Sequence, residues 1–264
     1  MNANFVFDLD GAIAIGADYE REKTEKGIKE KFGIEYFTKH CLYVYNWPYY
    51  IFPGYYALFR WLHSKGERIL FFSSGTEERN VELVDKLMKM SFGDSASEIG
   101  YKIFSRHHCI DTAEMERVES DKYQSCFLGQ RKKKLSGIVV HEDELQNTLL
   151  IDDDNSYMVK GEEYNFIYVR YCYLYLQDTE SIYSDPFHYF HRAYYLAGLF
   201  SKMFETMENN KVSLIEAAKY VQIDIEGKEL NRDFQYPGID RTEYYTKGLE
   251  ILKQFDSTLE FYYE

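Results

Sequence analysis

Four polar clusters in this sequence, each closing a short apolar run or standing alone between such runs, carry residue types suited to phosphoryl chemistry. Asp8-Leu9-Asp10-Gly11 follows Phe5-Val6-Phe7. Two carboxylates one residue apart at the end of a buried strand cost several kcal/mol unless a cation or donors compensate them. A turn just past the strand can aim both at one ligand. One can then attack phosphorus while the other gives a proton to the leaving group and takes one from water. Read alone, Asp10-Gly11 is equally an ordinary turn.

Ser73-Ser74-Gly75 follows Ile69-Leu70-Phe71-Phe72. Hydroxyls and free backbone N–H groups at a strand-to-helix junction suit a phosphate oxygen, although the commoner use of such a serine is as a helix cap. The run Arg131-Lys132-Lys133-Lys134 is ordinarily a solvated face, yet one lysine turned inward would neutralise both a phosphoryl group and an aspartate. Asp152-Asp153-Asp154 follows Leu149-Leu150-Ile151. Three consecutive acids at a buried strand end repel one another unless they bind a cation, and an all-oxygen set suits Mg²⁺.

The elements that must position these clusters alternate. Strands are expected at Phe5–Phe7, Cys41–Trp47, Arg68–Phe72, Ile103–Phe104, Cys126–Leu128, Leu149–Ile151 and Asn165–Tyr171. Helices are expected at about 18–32, from Pro53-Gly54 through Leu62, and from Glu77 to Met90, where Val81, Val84, Leu87 and Met88 repeat at helical spacing. Strands alternating with helices indicate a mainly parallel sheet covered on both faces, with the ligand beyond the carboxyl ends of the strands. Asp8, Ser73 and Asp152 all fall at such ends. After about residue 180 the pattern turns helical. Asp185-Pro186 resembles a helix start, and Ser213 with Glu216 and Asp240 with Glu243 have capping-box spacing. The domain reading is therefore 1–180 for the catalytic unit and 181–264 for a helical appendage.

Composition excludes several classes. The 264 residues are 45% apolar, enough for a core, and 18% aromatic, with 26 tyrosines. A net charge of −13 argues against broad capture of nucleic acid or of an anionic membrane, polynucleotide ends included. The 4 cysteines, Cys41, Cys109, Cys126 and Cys172, lack metal-site or disulfide spacing, so reduced thiols and a cytoplasmic setting are expected. The start MNANFVFDLDG is not a signal sequence, and no apolar run is long enough to span a membrane. Export by a signal-independent route would leave the same pattern.

Phe5-Val6-Phe7-Asp8-Leu9-Asp10-Gly11 resembles the first motif of the haloacid dehalogenase (HAD) superfamily, apolar residues followed by DxDx[TV]. Ser73 fits its second motif, a lysine of 132–134 its third, and Asp152-Asp153 its fourth, all in order across residues 4–170. Within the superfamily the chain looks most like the small C-terminal-domain (NIF-like) phosphatases, which act on phosphoserine in proteins. Phe52-Pro53-Gly54, Phe72-Ser73-Ser74, Phe104–Cys109, Lys133–Ser136 and Leu150–Asp153 carry that narrower likeness. The resemblance implies a three-layer α/β/α Rossmann-like fold with at most a small cap, and a Mg²⁺-dependent phosphatase. Asp8 would be nucleophile and metal ligand, and Asp10 acid/base and, through its carbonyl, metal ligand. Ser73, Ser74 and Lys133 would hold the phosphoryl group. Asp152 and Asp153 would complete the metal site, with Asp153-Asp154 an almost equally good register.

Two positions depart from the family pattern. Ala12 stands where Thr or Val is usual, which would loosen the turn carrying Asp10, and Gly11 where the subgroup has Glu. Neither interval between motifs holds a large lid, and an open site favours a phosphorylated protein over a small phosphomonoester. The alternatives are a small-metabolite or nucleotide phosphatase, or a degenerate binding protein marked by Asp8 and Asp10 turned apart or paired to arginines. His107-His108-Cys109 reads as loop structure, and His188 and His191 as packing. The aromatic stretch Tyr43–Tyr56 reads as core and sheet edge. The tail aromatics Tyr189, Phe190, Tyr194, Tyr195 and Phe200 would pack on the sheet domain or else meet a protein partner.

Overall fold

The computed structural model describes residues 2–16, 21–111, 131–139, 141–169, 189–221 and 241–261. Its elements run β1 (Asn4–Phe7), β2 (Ala14–Gly16), α1 (Arg21–His40), β3 (Cys41–Val44), β4 (Trp47–Ile51), α2 (Tyr55–Ser64), β5 (Arg68–Phe72), α3 (Glu77–Phe92) and β6 (Lys102–Phe104). They continue with β7 (Ile110–Asp111), β8 (Arg131–Lys132), α4 (Glu142–Leu145), β9 (Thr148–Asp152), β10 (Phe166–Tyr168), α5 (Arg192–Asn210), α6 (Leu214–Val221) and α7 (Arg241–Leu252).

The central sheet has the order β10-β9-β1-β5-β6, and every pairing in it is parallel. This is the expected α/β architecture, a parallel sheet flanked by helices. Alternate side chains of the buried strands separate two cores, as the pleat requires. Phe5, Phe7, Ile69, Phe71, Leu149 and Ile151 join the larger one with α2, α3 and α5. Val6, Leu70, Phe72, Leu150 and Phe166 face a smaller cluster closed by Leu135, Met158 and Leu145. Among the described residues that second face is covered by short elements, the turn Leu135–Gly137 and α4.

Between β1 and β5 the chain inserts a three-stranded antiparallel sheet, β2-β4-β3, with α1, which breaks at Gly33 (φ 85°). This is the elaboration that the interval from Asp8 to Ser73 had room for. The strand expected over Cys41–Trp47 is instead a hairpin, because Tyr45 and Asn46 are left-handed (φ 47° and 67°) and form a two-residue turn. Among the described residues Pro48 of β4 is paired on one side alone, with Tyr43 of β3. In the stretch Tyr43–Tyr56, Tyr49, Tyr50, Tyr55 and Tyr56 are buried while Tyr43, Tyr45 and Trp47 are exposed, which is core and sheet edge.

The described part of the tail is a layer of this same core. Phe200 lies 4.6 Å from Phe5 between ring centroids, and Phe190, Tyr194 and Leu196 are fully buried. Helices α5 and α7 cross closely because Gly198 and Gly248 have no side chain to meet the Tyr244 and Tyr194 carbonyls. The aromatic surplus that pointed to a protein partner is therefore largely consumed by packing. His191 packs between Tyr194 and Phe261, 5.2 Å and 5.4 Å away. Ser213 caps α6, its Oγ accepting from Glu216 N–H at 3.2 Å. The strand expected at Cys126–Leu128, the helix start at Asp185-Pro186, His188, and Asp240 lie outside the described residues.

One buried histidine makes stability pH-dependent. His40 is 1% exposed, beside Tyr36 and Tyr56, and neither ring nitrogen has a hydrogen-bond partner among the described residues. Burial, reinforced by the Lys39 charge and opposed by Asp256, lowers its pKa from 6.5 to about 3. A folded value below the unfolded one means that stability is full above pH 6.5 and drains as pH falls toward 3. The drain amounts to about 4–5 kcal/mol for this group. Urea midpoints at pH 7 and pH 4 are expected to diverge less in His40→Phe than in the wild type. Equal divergence in the two proteins would show that His40 is not the group being charged.

Candidate active site

The parallel register brings three of the four clusters to one rim. Phe7 lies level with Phe71 on one side and with Ile151 on the other, so Asp8 follows β1 where Phe72 and Asp152 end β5 and β9. Asp8 N–H donates to the Ile151 carbonyl at 2.8 Å, extending the ladder one residue into the site. Beyond it the chain folds into a tight turn, with Gly11 N–H donating to Ala14 O at 2.7 Å and Ala14 N–H to Leu9 O at 2.9 Å. Gly11 is required twice over. Its φ is 82°, and a side chain there would occupy the place of the Asp153 carboxylate.

The fourth cluster sends one lysine inward. The Lys133 ammonium is fully buried, 2.5 Å from Asp8 Oδ1 and 2.6 Å from Asp152 Oδ2, and 4.4 Å from the centre of the Tyr157 ring. Lys133 N–H bonds Tyr157 O at 3.1 Å, and the following turn is held by Glu162, which accepts from Leu135 and Ser136 N–H at 2.7 and 3.0 Å. Lys132 instead donates to the Ser156 carbonyl. Asp154 is exposed and caps a turn by accepting from Ser156 N–H at 2.9 Å. Asp152 and Asp153, not Asp154, thus stand beside Asp8. Asp8, Asp152 and Asp153 each offer one oxygen, all within 4.8 Å of one another.

These carboxylates crowd one another. Burial raises the Asp8 pKa from 3.8 to about 8, helped by Asp152 and Asp10 and opposed by Lys133. Burial likewise raises Asp152, again against Lys133. Burial, Asp8 and Asp152 push Asp153 well above its ordinary value, with Arg192 and Lys133 pulling back. Lys133 stays charged: burial alone would lower it, but Asp152 and Asp8 more than offset that. Fully ionised, the three carboxylates would carry more negative charge than their lysine balances, and the donors are all oxygen. Such an all-oxygen set could hold a hard divalent cation.

Asp10 lies in a different bond network. Arg79, the third residue of α3, grips both its oxygens, Nη1 to Oδ1 at 2.8 Å and Nη2 to Oδ2 at 2.6 Å. Ser73 Oγ donates to Asp10 Oδ2 at 3.2 Å and accepts from Gly75 N–H at 3.2 Å, a serine turn ahead of α3, whose own N-cap is Thr76. Tyr49 of the inserted sheet lies 5.8 Å from the Arg79 guanidinium. Ser74 Oγ accepts from the Tyr157 hydroxyl at 2.8 Å, and its carbonyl takes Arg106 Nε at 2.8 Å. His108 is structural: its Nδ1 accepts from Ser105 N–H at 3.0 Å.

Sequence patterns missed Arg79, Tyr157, Glu162 and Arg192. Arg79 had a usable signal, a cation one turn into the helix after Ser73-Ser74-Gly75. Arg192 had none. It opens α5, is 2% exposed, lies 3.9 Å over the Phe52 ring, and donates to the Gly11 carbonyl. The turn expected to be loosened at Ala12 is gripped there too, since the Tyr55 hydroxyl donates to Ala12 O at 2.8 Å.

No protein-family model matches the chain, and no curated protein matches it. Among the described residues no helix is long and apolar enough to cross a membrane. One similar solved structure is that of Fcp1, an essential RNA polymerase II CTD phosphatase, at 14% identity and a TM-score of 0.40. The match covers 96% of this chain and 62% of that one, so the chain spans under two thirds of its length.

Proposed function

We propose that the chain is a magnesium-dependent phosphomonoester hydrolase of the HAD kind, with Asp8 as the nucleophile. The observation that carries this reading is the Lys133 ammonium seated between Asp8 and Asp152, with Asp153 completing a trio of oxygens within 4.8 Å. Asp8 and Asp153, with Asp152 beside them, would hold Mg²⁺, which supplies positive charge to offset that of the phosphoryl oxygens and of Asp8. Lys133 balances the same charge from the other side. Ser73 and Ser74 are the hydroxyls for the phosphoryl oxygens.

An Asp8 oxygen attacks phosphorus and the ester bond to the leaving oxygen breaks. Asp10, as the acid, gives that oxygen a proton. Water then attacks phosphorus, Asp10 takes its proton back, and the bond to Asp8 breaks to release inorganic phosphate. Both Asp10 oxygens are engaged by Arg79, so this cycle requires the pair to open when substrate enters. The NIF-like motifs, and intervals between the motifs too short for a large independent lid, favour a phosphorylated protein as substrate, over a small metabolite or a nucleotide.

The Arg79–Asp10 pair also favours a second reading, a catalytically degenerate phosphate-binding protein. Hydrolysis of 4-nitrophenyl phosphate separates the two. The enzyme is expected to release phosphate with Mg²⁺ and to lose at least about 100-fold on chelation with EDTA. Binding of beryllium fluoride without any turnover would instead favour the binding protein. A phosphopeptide screen run beside sugar phosphates and nucleotides tests the substrate. Strong preference for a small metabolite would overturn the protein-substrate proposal.

A further inference from the structure

The C-terminal segment contributes a charge to the candidate site, and that charge is costly where it sits. Arg192 is among the largest fully buried side chains of the protein, and a guanidinium does not shed its charge on burial. Removing such an ion from water costs several kcal/mol unless its surroundings are arranged to receive it. Its Nη1 is received by the turn after β1. The Arg192 guanidinium donates to Gly11 O, has Ala12 O at 3.5 Å, and stacks on Phe52 at 3.9 Å. The Asp153 carboxylate closes against the same Gly11. The turn is thus held by three side chains, Arg192, Tyr55 through its hydroxyl on Ala12 O, and Asp153.

Gly11 is the residue immediately after Asp10, so whatever fixes the Gly11 carbonyl fixes the backbone from which the Asp10 side chain departs. An apolar side chain could fill the space beside Phe52 without the cost of a buried charge. A buried guanidinium aimed at that carbonyl gives the turn a defined orientation. We infer that Arg192 is a positioning residue, one that sets the turn carrying Asp10, so that the segment beginning at residue 189 completes the acid/base half of the site. This rests on the proposed roles of Asp8 and Asp10.

The test is the dependence of kcat/KM on the leaving group, which reports the step in which Asp10 gives its proton. An alkyl phosphate needs that proton, whereas 4-nitrophenyl phosphate has a leaving group that departs largely without it. Arg192→Met is expected to lose about 100-fold on the alkyl ester and only about a few-fold on the aryl ester. Arg192→Lys, which keeps the charge but gives up the planar group over Phe52 and its fixed reach to the Gly11 carbonyl, is expected to shift the ratio in the same direction by about 10-fold. Thermal melting establishes that each variant is folded, and if Arg192→Met is not, Arg192→Lys decides alone. An unchanged alkyl-to-aryl ratio in a folded variant overturns the positioning role, as does an equal loss on both esters. Asp8→Asn run in parallel keeps the two ideas apart. Full activity there removes the reading beneath the inference, while its loss together with an unchanged Arg192 ratio removes the inference alone.

Discussion

Asp8→Asn is expected to lower the Mg²⁺-dependent kcat for 4-nitrophenyl phosphate by at least about 10³-fold while leaving the protein folded. Loss of an enzyme's nucleophile typically costs this much or more, because the remaining groups stabilise a reaction that can no longer begin. Asparagine keeps the shape and a hydrogen-bonding oxygen but cannot form the acyl phosphate. The substitution also removes one of three crowded carboxylates whose ionisation burial opposes. The metal-free variant should therefore melt no lower than the wild type at pH 8. A fall in activity without a fall in melting temperature separates chemistry from misfolding. Equal rates for the two proteins would remove Asp8 as the nucleophile.

Lys133→Met should produce the largest loss of stability from a single polar substitution at the site. The ammonium is fully buried between Asp8 at 2.5 Å and Asp152 at 2.6 Å. Removing it leaves two buried carboxylates facing each other, and breaking a buried pair in this way costs about 3–5 kcal/mol. The pH dependence has a definite sign. Burial already raises both carboxylates, and without Lys133 they rise further, so the folded state binds protons more tightly than the unfolded one. The variant should accordingly gain stability as pH falls from 8 toward 5. Added Mg²⁺ should restore part of the loss at pH 8, since it supplies charge to the same oxygens. Denaturant midpoints with and without Mg²⁺ at the two pH values provide the measurement. A midpoint indistinguishable from wild type at pH 8 would mean that the lysine does not balance these carboxylates.

The two substitutions probe what local pattern already makes legible. Apolar runs ending in Asp8, Ser73 and Asp152 mark parallel strands, because a strand buried on both faces must be continuously apolar and must become polar where it leaves the sheet. Helix α3 is readable from its spacing for the same kind of reason, one face buried and one wet. A single sequence therefore determined the sheet's strand ends, the carboxylates placed at them and the helical character of the described part of the tail.

Choices among neighbours, and contacts between distant segments, belonged to the tertiary structure. Three consecutive lysines are indistinguishable in sequence. The pairing of Arg131–Lys132 with Ile110–Asp111 and the Glu162-held turn turn Lys133 toward Asp8, while Lys132 reaches Ser156. Asp152, Asp153 and Asp154 are separated only by where β9 stops and the capping turn begins. The Arg79 grip on Asp10 depends on how α3 is set against the turn after β1, and the Arg192 bond to Gly11 spans 181 positions. Periodicity records which face of an element is buried. It does not record which other element covers that face, and that is what decides where a buried charge finds its partner.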